Sequence, residues 1–220
     1  MTLAGVPVAW AIVNLSRVSS ALVLTAGAAS IALTLSACGS DPHPEATKTS
    51  GPSIGDVFTS TVAPAAAEGC PTAAPADGGT PEWTFSGAKG SVAVTGSTDT
   101  AAPSVKVEAP FSVAETQVHT LKAGDGPVVA PDATVSVCYM GVNGRDGSVF
   151  DSSYTQGTPV DFPLGGVVPG FQKAIAGQKV GSTVAVAMTS ADGYPDGQPA
   201  AGIQPGDSLV FAIKILNAQG

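Results

Sequence analysis

The twenty residues Val135–Tyr154, VSVCYMGVNGRDGSVFDSSY, decide how this chain is read. Val135, Val137 and Tyr139 alternate with Ser136, Cys138 and Met140, the period of a strand with two different faces. Asn143-Gly144-Arg145-Asp146-Gly147 follows, with glycines where a turn requires positive φ. A second strand then runs to Phe150-Asp151. Such a hairpin brings a phenol, a phenyl and a carboxylate together, and Tyr139, Phe150 and Asp151 can line a small apolar pocket with one polar handle. Read alone, the same residues also describe a core hairpin whose Asp caps a turn.

The flanking sequence predicts more strands and one helix. Ser112–Leu121 is expected as a strand anchored by Val113, Val118 and Leu121, and Ala123-Gly124-Asp125-Gly126-Pro127 breaks it. The hairpin strand is expected over Ala133–Met140, and Val160–Leu164 is a short strand before Gly165-Gly166. Pro169–Ala176 starts with Pro at a first helical turn and stops before Gly177, with Phe171, Ala174 and Ile175 on one face. Ser182–Thr189 alternates, with Val184, Val186 and Met188 on one side. Ala191–Gly206 is a Pro/Gly/Asp-rich loop, and loops of that length in a compact domain are usually functional. Asp207–Leu216 closes the pattern with Leu209, Phe211, Ile213 and Ile215 on one face. The sum is an α+β domain, an antiparallel sheet crossed by one short helix.

The first half of the chain is of another kind. With 220 residues there is room for one ordinary domain plus extensions. The net charge of −8 argues against nucleic acid, which requires a Lys/Arg footprint. No charged residue occurs between Arg17 and Asp41, and the apolar run Ala21–Leu35 ends in Leu35-Ser36-Ala37-Cys38. Small residues before a cysteine at the end of an apolar stretch resemble the lipobox of bacterial lipoprotein signals. That resemblance implies removal of residues 1–37, acylation of Cys38 (diacylglycerol and palmitate-type chains), and a protein held on the outer face of the cell membrane. An uncleaved N-terminal anchor is the other reading of the same run. Residues 38–80, rich in Pro, Ala, Ser, Thr and Gly, read as a flexible, disordered tether. Residues 81–112 regain apolar signals at Trp83, Phe85, Val92 and Val94 and are expected to pack on the main domain. Within them Val105 and Val107 alternate with Lys106 and Glu108 between Pro103 and Pro110, as in an edge strand.

The ordered set GDGPVVAPDATVSVCYMG, GSVFDSSY, TPVDFPLG, VVPGFQKAI, VGSTVAV, the GYPDG loop and LVFAIKIL resembles the FKBP-type peptidyl-prolyl cis–trans isomerases. The resemblance spans about residues 117–216, within a domain bounded at residues 113–218. It implies a five- or six-stranded antiparallel sheet wrapped around one short helix, with a proline-binding pocket between them. It implies that Tyr139, Phe150 and Phe211 form pocket walls, that Phe171 stands on the floor where the family usually has Trp, and that the Val167–Val168 backbone and the Tyr194 hydroxyl bind the ligand. Val160 stands where the family usually has an aromatic, and Ile203 is assigned to the rim. Asp151 either meets the twisted carbonyl, holds a neighbouring side chain, or is a buried structural carboxylate. The implied activity is isomerisation of X–Pro bonds in exported proteins, with macrolides as inhibitors, by a monomer that uses no cofactor. A proline-peptide or partner-binding module without turnover is the alternative.

Other chemistries lack their residues. His43 and His119 have no Cys or carboxylate at metal-ligand spacing, so no metal is expected. Once Cys38 is acylated, Cys70 and Cys138 remain. Cys138 alternates with Tyr139 and so faces away from the pocket. Cys70 and Cys138 are expected either as a disulfide pinning the extension to the outer sheet face, or as an unpaired thiol in the tether and a buried one.

Overall fold

A computed structural model describes residues 69–75 and 79–220. The expected signal peptide, Cys38 and most of the expected tether lie outside these residues. Six strands form the main sheet: β4 (Gln117–Lys122), β5 (Thr134–Asn143), β6 (Val149–Ser152), β7 (Val160–Pro163), β8 (Thr183–Met188) and β9 (Leu209–Gln219). Their order is β4-β8-β9-β5-β6, with β7 also paired to β5, and all pairings are antiparallel. The first half of β5 faces β7 and its second half faces β6, so one long strand serves two short partners. Helix α1 (Pro169–Ile175) is the one α-helix among the described residues.

The helix covers one face of the sheet. Phe171, Ala174 and Ile175 pack against Val135, Val137 and Tyr139 of β5, Val184, Val186 and Met188 of β8, and Leu209, Phe211, Ile213 and Ile215 of β9. These are the residues expected to share a face. Two expectations shift at the edges. The strand foreseen over Ser112–Leu121 is two strands, because β3 (Ser104–Ser112) ends at Ser112 and β4 begins at Gln117. Val118, foreseen as an anchor, keeps 39% exposure on the edge strand β4. In the hairpin turn only Gly147 has positive φ (75°); Gly144 does not, and serves another purpose described below.

The opposite face of the sheet is also covered. Residues 83–112 form a second, three-stranded antiparallel sheet of β1 (Trp83–Ser86), β2 (Lys89–Thr95) and β3 (Ser104–Ser112), with β3 at an edge. The sequence marked only one strand here. Val92, Val94 and Phe111 are buried against Ala185 and Ala187 of β8 and Val210 and Ala212 of β9. The small alanines leave room for the second sheet, and burial of each of Val92, Val94 and Phe111 contributes about 1.5–3 kcal/mol. Trp83 stacks on His119 of β4 at 5.6 Å, which ties the two sheets at their rim.

A third cluster lies behind the hairpin. Cys70 and Cys138 form a disulfide, and Ala102 and Tyr154 are buried with them. Cys70 N–H donates to the Gly157 carbonyl at 3.1 Å, and Ala102 N–H donates to the Ala73 carbonyl at 2.8 Å. The flexible tether foreseen through residue 80 therefore does not extend over residues 69–75, which are pinned by a covalent bond and by backbone hydrogen bonds. Burial pushes the Tyr154 phenol up to about 12, partly opposed by its hydrogen bond to Ser97.

The disulfide closes a sequence separation of 68 residues. Cys70→Ala/Cys138→Ala should lower unfolding free energy by roughly 2–4 kcal/mol in urea titrations. An unchanged midpoint would show that this crosslink does not constrain the unfolded chain.

Candidate functional site

The site grows from the inner face of β5. Tyr139 is the third inward residue of that strand, and Gly141 is the next. Gly141 pairs with Phe211 on β9 and with Asp151 on β6. A Cβ at Gly141 would stand 2.6 Å from the Phe150 ring and 2.8 Å from the Phe211 ring. The missing side chain is what lets these two rings close from both neighbouring strands. Sequence reading missed Gly141, since a glycine in a strand announces a close approach without saying of what.

Around that gap the aromatics meet edge to face. Phe150 and Phe211 lie 5.5 Å apart at 88°, Phe171 and Phe211 at 5.3 Å and 83°, and Tyr139 and Phe171 at 5.9 Å and 87°. This is the favoured geometry for ring quadrupoles. Phe171 is fully buried at the start of α1, held by Pro169 at the first helical position and by its own N–H on the Val168 carbonyl at 3.0 Å. Phe162 of β7, which the sequence reading did not single out, supports Phe171 from behind at 5.4 Å. Its signal was the i, i+2 alternation with Val160. Val160 is half-buried and packs against the same cluster, as does Phe150.

Three polar groups sit in this apolar setting. Tyr139 Oη donates to Asp151 Oδ2 at 2.6 Å, and Asp151 is 7% exposed. Asp151 therefore both holds a neighbouring side chain and is a buried, hydrogen-bonded carboxylate, two of the three roles left open by the sequence. Burial raises its pKa, opposed by the bonds from Tyr139 and the Ser152 backbone. Burial, reinforced by Asp151, pushes the Tyr139 phenol far above its ordinary range. Tyr194 is the third group. Its hydroxyl is buried and has no hydrogen-bond partner within the protein. Burial raises its pKa, with the Asp151 charge adding to the rise, so it is a neutral donor at neutral pH.

The remaining residues take different stations. Val167 and Val168 are buried at the N-terminus of α1, in the same cluster as Phe171. Ile203 is deeper than the rim assigned to it: it is 2% exposed and packs into the core, because the loop turns inward at that point. Behind Tyr139, the Ser153 hydroxyl accepts the Tyr139 N–H at 2.9 Å and lies 3.4 Å from the Cys70 sulfur. The disulfide thus abuts the backbone of a site residue. Among the described residues no cluster of His, Cys, Asp and Glu could hold a metal ion.

The raised Asp151 pKa has a defined consequence for stability. Below the unfolded aspartate value of about 3.9 the group is neutral in both states; as pH rises through the folded value, the folded state alone bears a buried charge. Urea midpoints at about pH 3.5 and about pH 7 should show Asp151→Asn gaining stability relative to the parent as pH rises. A difference that is flat or of opposite sign would contradict the raised value.

Residues 126–216 match the model of the FKBP-type peptidyl-prolyl cis-trans isomerase family. The chain is 35% identical over 106 residues to an FK506-binding protein of Streptomyces anulatus, covering 47% of this chain and 86% of that protein. It is 34% identical over 104 residues to a probable FK506-binding protein of Corynebacterium glutamicum, covering 46% and 85% respectively. With the FKBP-type 22 kDa peptidyl-prolyl cis-trans isomerase of Escherichia coli it shares 35% identity over 100 residues, spanning 46% of this chain and about half (48%) of that relative. Inward rings closed over Gly141, one helix across an antiparallel sheet and this continuous match agree, and the chain belongs to the FKBP-type peptidyl-prolyl cis–trans isomerases.

Proposed function

We propose that this domain isomerises X–Pro bonds of exported proteins, and that the unpartnered Tyr194 hydroxyl is the group that carries the reading. A phenol buried without a partner in the protein carries an uncompensated desolvation cost of about 1–3 kcal/mol. Beside an aromatic box, that deficit is made good when a peptide carbonyl arrives.

No nucleophile is required. Rotation about an X–Pro bond is opposed by about 18–20 kcal/mol of lost amide resonance. The twisted amide has less charge on oxygen than the planar one, so an apolar site favours it relative to water. That is catalysis by stronger binding of the transition state than of the ground state. Phe150, Phe211 and Tyr139 supply apolar walls over Phe171. The Tyr194 O–H and the Val168 backbone N–H orient the peptide. Asp151, engaged by Tyr139, keeps that ring in place and leaves Tyr194 free to donate. The same box suits the macrolide named in the Streptomyces relative, and we extend that ligand class to this chain as part of the proposal.

The cellular setting belongs to the proposal as well. The Leu35-Ser36-Ala37-Cys38 motif supports acylation of Cys38 and anchorage on the outer face of the membrane. The Cys70–Cys138 disulfide supports it too, since such bonds persist mainly in oxidising compartments. Mass spectrometry of the native protein should find a mature terminus at Cys38 carrying acyl chains; an unmodified cysteine there would remove the anchor.

Isomerisation of a proline tetrapeptide should be fast with the parent protein. Phe150→Ala should abolish most of it, and Tyr194→Phe should lower kcat/KM by about two- to tenfold, the value of one hydrogen bond. Tyr194→Phe should also leave the fold equally or more stable, since no partner is lost. A folded parent that binds the peptide without turnover would favour the binding module, with Val160 in place of an aromatic wall as its cause.

A further inference from the structure

The loop that bears Tyr194 is held by residues that do not line the pocket. Asp207 lies just before β9 and is 8% exposed. Its Oδ2 accepts from Asn143 Nδ2 at 2.8 Å, from the Gln204 backbone N–H at 2.9 Å and from Arg145 Nε at 3.3 Å. Arg145 also donates from Nη2 to the Gly202 carbonyl at 3.1 Å. The two residues therefore grip the chain on both sides of Ile203, by the carbonyl before it and the amide after it. Ile203 exchanges two backbone hydrogen bonds with Gln198, at 2.8 and 3.1 Å, which carries the grip back along the loop. At the other end, Asp192 is held by Lys173 at 2.8 and 2.9 Å and by the Thr116 hydroxyl. Tyr194 sits between these two clamps.

The anchor of the Arg145–Asp207 clamp is the hairpin turn. Gly144 N–H donates to the Ser208 carbonyl at 2.9 Å, and its own carbonyl accepts the Phe111 N–H at 2.7 Å. A Cβ on Gly144 would lie 2.6 Å from the Phe111 carbonyl oxygen and 2.7 Å from that of Ser208. The turn is thus wedged between the end of β3, in the outer sheet, and the start of β9. Val113 N–H reaches the Ser208 hydroxyl at 3.2 Å and closes the same seam.

We propose that Arg145 and Asp207 are positioning residues for substrate. They hold Gly202–Gln204, and with it the loop carrying Tyr194, in the conformation that receives a proline peptide, and the outer three-stranded sheet sets that conformation through Gly144. This rests on the isomerase reading of the site. Neither residue touches the peptide. A loop ordered in advance is not ordered at the expense of binding, and apparent affinity falls with the fraction of molecules in the competent form. Bound peptide and twisted amide gain alike from that order, so its loss acts on KM rather than on kcat.

The test uses Arg145→Gln, a change at a partly exposed side chain, with Arg145→Lys and Asp207→Asn beside it. Amide exchange by NMR at Ile203 and Gln204 should accelerate in Arg145→Gln while the amides of β5 and β9 keep their protection. Affinity for a proline tetrapeptide should fall by about three- to tenfold, and kcat should stay within about twofold. Arg145→Lys, which can keep one of the two contacts, should fall between. Unchanged exchange at Ile203 and Gln204 in Arg145→Gln and Asp207→Asn would overturn the clamp. Faster exchange with full peptide affinity would overturn the positioning role. If the parent binds the tetrapeptide but does not turn it over, the isomerase reading fails, and the exchange and affinity comparison still decides whether Arg145 and Asp207 position the loop.

Discussion

Strand β5 has almost no solvent face, and the rest of the molecule is arranged around that constraint. Its inward residues, Val135, Val137 and Tyr139, belong to the core under α1. Its outward residue Cys138 is bonded to Cys70 in a separate buried cluster. A strand buried on both sides must be covered by two layers, and a one-residue slip would exchange the two sets. The disulfide opposes that slip from outside, and the Gly141 gap opposes it from inside, because only glycine admits both Phe150 and Phe211. Strands β8 and β9 repeat the arrangement with large residues inward and Ala185, Ala187, Val210 and Ala212 under the outer sheet.

The site follows from the same geometry. A dry aromatic box is what a reaction without a nucleophile requires, and its polar groups are few. Tyr139 and Asp151 satisfy each other. Tyr194 satisfies no one within the protein. Holding an unpaired phenol in a Gly/Pro-rich loop demands support from elsewhere, and the support comes from ionic contacts at both ends of that loop: Lys173 with Asp192, and Arg145 with Asp207.

Much of this was legible in the sequence, for identifiable reasons. Alternation over Val135–Tyr139, Val184–Met188 and Leu209–Ile215 placed the inward face correctly, because period-2 patterning survives whenever one face is apolar. Pro169 and Gly177 bracketed α1 for reasons of backbone chemistry alone. Phe171, Phe211 and Phe150 fall together as the family resemblance implied. The outer sheet was scarcely legible: β1 is only four residues long, and three of the four main-sheet residues buried beneath the outer sheet are alanines, which carry little strand signal. Ile203 was placed too far out because a loop sequence does not reveal which of its residues turns inward. Arg145 and Asp207 read as turn and loop residues, since a contact across more than sixty positions leaves no local trace.

The proposed role of the Tyr194 hydroxyl, which has no partner within the protein and belongs to a side chain packed against the aromatic core, is to receive a prolyl peptide. A crystal structure with a bound proline-containing peptide tests it most directly. The proline ring should lie between Tyr139, Phe150 and Phe211, above Phe171, with Tyr194 Oη roughly 2.6–3.0 Å from a peptide carbonyl oxygen. A peptide bound elsewhere, or a Tyr194 hydroxyl that turns to Asp151 while the peptide carbonyl goes unmet, would contradict it.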